Sequence, residues 1–118
     1  MPTPEQQTLV AEILTVITGD DFFLKNKHKI NDNFMVAAED AIASYKSCIN
    51  HSGRFAALMK CIPTGPNVRG WLTKCTTNSF QQLKREFGGE LYGNKLCSVD
   101  AGFGMHYRNL KDTLILGF

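Results

Sequence analysis

The chain has 118 residues, 43% of them hydrophobic and 20% charged, and a formal net charge of +2. These values exclude a disordered polymer and suit a single domain, residues 1–118, that can bury a core without crosslinks or metals. No stretch approaches the roughly 18–20 apolar residues of a membrane span, and Met1–Thr8 lacks the basic start and apolar run of a secretion signal. The expected compartment is therefore the cytoplasm, with no membrane contact.

The first predicted element is a helix from about Pro4 to Thr18. Thr3 suits the cap, Pro4 the first helical position, and Glu5 the positive end of the dipole. Leu9, Val10, Ile13, Leu14 and Ile17 recur at helical spacing and form one apolar stripe, and Gly19 is the stop. Asp20 to Ile30 reads as a connection with a basic cluster, Lys25, Lys27, His28 and Lys29, anchored by Phe22, Phe23 and Leu24.

A second helix follows a cap at Asn31 or Asp32. Phe34, Ala38, Ala41, Ile42, Tyr45, Cys48 and Ile49 line one face, small alanines at 37, 38, 41 and 43 admit a close neighbour, and Gly53 ends it. A short third helix, Arg54 to Cys61, turns Phe55, Leu58 and Met59 inward. Pro63, Gly65 and Pro66 break the chain. Asn67 caps a fourth helix carrying Val68, Trp71, Leu72 and Cys75. Asn78 or Ser79 caps a fifth, with Phe80, Leu83 and Phe87 inward and Gly88-Gly89 closing it.

Leu91, Tyr92, Leu96, Cys97 and Val99 then flank Gly93-Asn94, which suits a tight hairpin turn. Gly102-Phe103-Gly104 reads as a further turn, and Thr113 to Phe118 as a third strand or a short buried tail. The expected fold class is mainly α: a compact bundle of about five helices with a small C-terminal β-hairpin, α+β in type.

The charge is unevenly spread. Residues 1–52 hold four cations against seven acids, a net of −3, and residues 53–118 hold nine against four, a net of +5. Such a split steers an anionic partner toward one face. Lys84-Arg85 with Tyr92, Lys95, Tyr107 and Arg108 form a candidate nucleic-acid surface. Thr64-Gly65-Pro66-Asn67 followed by Arg69 has the character of an anion contact at a helix start, although Pro66 removes one donor and no Walker pattern is present.

Catalytic and metal signatures are weak. Cys48 and His51 are three apart and share a helical face. With Cys61 and Cys75 they make four zinc-type ligands, but without the two close pairs of a finger. Cys48 with His51, or Cys97 with His106, pair a thiol with an imidazole outside any recognised nucleophile context. The four cysteines read most simply as reduced core thiols. Asp20-Asp21 and Glu39-Asp40 are adjacent carboxylates; neighbours on a helix point in different directions, so they read as solvated surface. No catalytic residue, metal ligand or cofactor is assigned.

The segment from about residue 34 to 100 resembles a family of small accessory proteins of tailed bacteriophages. The shared features are the Ala37–Ala43 helix, Leu58, Ile62-Pro63, Gly65, Asn67 and Trp71. The family's usual longer and more charged C-terminal tail is missing here. The resemblance implies a phage accessory protein with no catalytic residues to carry over. The expected function is a non-enzymatic binding protein that docks on a host protein complex and inhibits a nucleic-acid-handling or defence machine, as an anti-CRISPR protein does. Its expected contacts are Arg69, Lys74, Lys84, Arg85, Lys95 and Arg108. The alternatives are direct nucleic-acid binding through the same residues and a small Cys/His metal protein.

Overall fold

The computed structural model describes residues 2–48, 60, 62, 70–74, 85 and 103–116. In chain order the elements are α1 (Pro4–Thr18), α2 (Phe22–Lys25), a 3₁₀ turn (Lys27–Lys29), α3 (Asp32–Cys48), α4 (Trp71–Lys74) and α5 (Phe103–Leu116). The described chain is mainly helical and contains no strand among these residues. Leu91–Val99, where a hairpin is expected, lies outside them, as does nearly all of the expected third and fifth helices. From those two helices only Lys60 and Arg85 are seen, each on helical backbone.

α1 begins and ends where its sequence dictates. The Thr3 hydroxyl accepts from the Gln6 amide at 3.1 Å, and the Gln6 side chain accepts from the Thr3 amide at 2.9 Å, so two orphan donors are satisfied reciprocally. Gly19 stops the helix at φ 71°, a left-handed conformation that a Cβ would penalise, and donates its N–H to the Thr15 carbonyl at 2.8 Å.

The interior of α1 differs from the expected single stripe: every residue from Leu9 to Thr18 is buried. A helix can be enclosed in this way when its remaining positions are apolar or self-satisfied. Ala11 and Val16 are apolar. Thr15 and Thr18 donate their hydroxyls back to the Ala11 and Leu14 carbonyls, both at 2.7 Å. α2, the 3₁₀ turn, α3 and α4 all pack against this helix.

The Asp20–Ile30 connection is more ordered than expected, because its three apolar residues and Ile30 need a surface to pack on. Phe23 and Ile30 are buried, and Phe22 and Leu24 are half-buried against the core. α3 starts with the Asn31 side chain accepting from the Phe34 amide at 2.9 Å. Its buried Phe34, Ala38, Ala41, Ile42 and Tyr45 match the expected face.

Two expectations fail at the C-terminal end. Gly102-Phe103-Gly104 is not simply a turn, since Phe103 and Gly104 open α5, and Thr113–Leu116 is helical instead of extended. The deciding period is Tyr107, Leu110, Lys111 and Leu114, which share one face at i, i+3, i+4 and i+7. Leu110 and Leu114 are buried, whereas Ile115 and Leu116 are exposed, so the apolar run is not a buried strand. Thr113 suits the helix because its hydroxyl donates to the Asn109 carbonyl at 2.8 Å. α4 also differs from expectation. Gly70 adopts φ 78°, outside the helical range, so the described helix begins at Trp71, and the expected cap Asn67 lies outside the described residues.

Phe23 joins three elements. Its ring centroid lies 6.2 Å from that of Phe34 on α3 and 6.0 Å from that of Tyr107 on α5, and it meets Phe22 edge-on at 5.8 Å. Removing a fully buried aromatic ring leaves a cavity as well as losing transfer free energy. Phe23→Ala is therefore expected to lower unfolding stability by about 3–5 kcal/mol, read as a reduced urea midpoint at unchanged slope.

Candidate functional site

The polar cluster with the best-defined geometry forms where the α1–α2 turn meets α5. Asp20 sits just after the Gly19 stop, and its backbone N–H donates to the Thr18 hydroxyl at 3.2 Å. Its Oδ1 accepts from the Phe22 amide at 3.0 Å and so begins α2, a local turn that an Asp side chain favours. Its Oδ2 faces α5 and accepts from the Tyr107 hydroxyl and from Lys111 Nζ, the latter at 3.0 Å. Tyr107 and Lys111 are one helical turn apart and present one face. The Lys111 ammonium also lies 4.9 Å from the Phe22 ring centroid and 5.2 Å from that of Tyr107, within cation–π range.

The three groups perturb one another in a consistent sense. Partial burial pushes the Asp20 carboxyl upward, but the hydrogen bonds from Tyr107, Lys111 and the Phe22 amide, with the attraction of Lys111, outweigh it and hold the pKa below its usual 3.8. Burial, then the hydrogen bond to Asp20 and its negative charge, raise the Tyr107 phenol above 10.0. The hydrogen bond to Asp20 is the main cause raising Lys111 above 10.5. Each shift moves its group away from neutrality. An acid–base catalyst near pH 7 needs the opposite. The arrangement fastens α5 to the start of α2 through one carboxylate.

A fully buried carboxylate lies elsewhere, on α3. Glu39 was expected on the solvated surface, but it is only 2% exposed. Its Oε2 accepts from the Gly70 amide at 2.5 Å, a donor that the left-handed Gly70 turns toward α3. Nearby on the same helix, Lys46 Nζ donates to the Ile62 carbonyl. α3 thus holds two points of the following chain by charge-assisted bonds.

The predicted contact residues are only partly seen. Arg85 and Arg108 are exposed and lie on separate helical segments, and Lys74 lies in α4. Arg69, Lys84 and Lys95 lie outside the described residues. Tyr107, expected beside them, instead sets its ring against Phe23 and its hydroxyl on Asp20. Of the zinc-type residues, Cys48 ends α3, while His51, Cys61 and Cys75 fall outside the description, as does Cys97 of the second thiol–imidazole pair. Among the described residues no group of three or more His, Cys, Asp or Glu could hold a metal ion. Nor is any described helix long and apolar enough to cross a membrane. The chain matches no protein-family model, no curated protein and no solved structure.

Tyr107 and Lys111 form a signal that the sequence does carry, as an i, i+4 pair on the face that also holds Leu110 and Leu114. Their partner Asp20 lies 87 and 91 residues away, and no local pattern gives that pairing. Asp20→Asn is expected to cost about 1–2 kcal/mol at neutral pH, since it weakens hydrogen bonds made to a charged group. The sign with pH follows from the shifts. The lowered Asp20 contributes stability above its unfolded pKa, lost as pH falls through the folded value, below about 4. The raised Tyr107 and Lys111 contribute below their unfolded values, and that share is lost as pH rises beyond about 10. Urea titrations across pH should show a steeper acid loss in the parent chain than in the Asp20→Asn variant.

Proposed function

We propose that this is a non-enzymatic binding protein that docks on a protein partner through exposed cationic side chains. In its finer form the reading is an accessory protein of a tailed bacteriophage, acting in the host cytoplasm and inhibiting a host nucleic-acid-handling or defence complex in the manner of an anti-CRISPR protein. The coarse reading is carried by one contrast. The Asp20, Tyr107 and Lys111 cluster is fixed away from proton transfer near neutrality, whereas Arg85 and Arg108 stand exposed in the half of the chain that carries the positive excess. The resemblance of residues 34–100 to phage accessory proteins supports the finer reading. The contact set is Arg69, Lys74, Lys84, Arg85, Lys95 and Arg108. Basic side chains of this kind compete for sites that normally hold nucleic acid.

A second reading, direct nucleic-acid binding through the same residues, is favoured by the exposure of Arg85 and Arg108. It requires affinity that falls with salt at about 0.9 log units per log unit for each phosphate contacted. An affinity capture from the native host, read by mass spectrometry, identifies the partner. The double variant Lys84→Glu, Arg85→Glu is expected to weaken that capture at least about tenfold, the effect of losing roughly 1.4 kcal/mol. Capture that is unchanged by the double reversal would show that the surface is wrongly placed, and a gel shift with no retention at low salt would remove the second reading.

A further inference from the structure

The negative half of the chain contains a positive turn. Three of the four cations in residues 1–52 fall within residues 25–29, and His28 lies among them. All four side chains are exposed. We propose that Lys25, Lys27, His28 and Lys29 form a docking surface for the phosphodiester backbone of duplex nucleic acid, without base recognition. The inference rests on neither reading above, because it uses no residue of the C-terminal half.

The turn is held in shape before any partner arrives. Phe23 and Ile30 are buried on either side of it, at 0% and 1% exposure. The Lys29 amide donates to the Asn26 carbonyl at 3.0 Å and the Ile30 amide to the Lys27 carbonyl at 3.1 Å. Asn26 Nδ2 donates to the Phe22 carbonyl and Gln7 Nε2 to the Ile30 carbonyl, each at 2.9 Å. A 3₁₀ turn spaces successive side chains about 120° apart, and Lys27, His28 and Lys29 are all exposed, so the turn spreads its charges around one tight bend. Little backbone entropy then remains to be lost on binding.

The contacts within the described residues leave most of this positive charge uncancelled. Asp21 approaches Lys25 at 3.4 Å, but both side chains are more than 60% exposed, a geometry worth little in water. Lys27 Nζ meets the neutral Thr8 hydroxyl at 3.3 Å, which leaves its charge intact.

The nearby apolar groups identify the anion. Among the described residues of this turn, Phe23 is buried and Phe22 and Leu24 are half-buried against the core, so none offers a fully exposed face for unpaired bases to stack on. For the same reason the described apolar residues of the turn form no exposed wedge to enter a lipid interface. What remains is attraction to charge density, and a duplex offers one negative charge per about 1.7 Å of its axis.

The test is fluorescence anisotropy of the full chain with short labelled duplexes of unrelated sequence, across a salt series. Expected are equal affinities for the different sequences, weaker binding to the matching single strands, and a log–log salt slope of about −2 to −3. Lys27→Glu with Lys29→Glu should reduce that slope by about 2, with the helical circular-dichroism signal unchanged, while Lys84→Glu with Arg85→Glu should leave it intact. The proposal is overturned by no binding at low salt, by an unaltered slope in the Lys27/Lys29 variant, or by tighter binding to phosphatidylserine vesicles or polyglutamate than to duplex.

Discussion

Enclosing α1 is the constraint on which the described fold depends. Ten consecutive residues, Leu9 to Thr18, are buried, so the chain has to be wrapped around them on every side. The turn at Gly19 sends the chain straight back along α1, which is why α2 and the 3₁₀ turn pack on the helix they have just left. α3 and α4 cover further faces, and α5 is laid onto α3. Several polar residues inside this packing are satisfied locally or by charge-assisted bonds, among them Thr15, Thr18 and Glu39.

Much of this was legible in the sequence where the signals are local. Thr3, Pro4, Glu5 and Gly19 place both ends of α1, and Phe34, Ala38, Ala41, Ile42 and Tyr45 place the inner face of α3. The misreadings have physical causes. The Thr-Leu-Ile-Leu run at 113–116 is too short to separate helix from strand by its own pattern, and only the longer Tyr107 to Leu114 window shows the helical period. Glu39 looked solvated because charge is a poor guide to burial once a backbone donor is aimed at it. The Asp20 clasp was invisible for another reason: it is a tertiary pairing, and no spacing rule links residues so far apart in the chain. The candidate contacts Arg85 and Arg108 were visible as charges, whereas the internal role of Tyr107 was not.

The same electrostatic chemistry serves two different ends in this molecule. At Asp20 a carboxylate gathers a phenol, an ammonium and an amide, and the charges are matched within the fold. At Lys25 to Lys29 the cations are held outward on an anchored bend, with the exposed Asp21 3.4 Å from Lys25. Matched and partly buried charge fixes tertiary structure, while unmatched exposed charge acts at a distance and is screened by salt.

The one-sided seating of α5 also sets the order in which parts of the molecule open. Leu110 and Leu114 are its buried apolar residues, and Arg108, Asn109, Asp112, Ile115 and Leu116 face outward. Its amides can therefore exchange with solvent through a partial opening that leaves α1 closed. The amides of Leu9 to Thr18 in α1 lie at the centre of the packing and are expected to exchange only when the whole assembly comes apart. Of these two helices, α5 is thus the one expected to yield first under proteolysis or mechanical load.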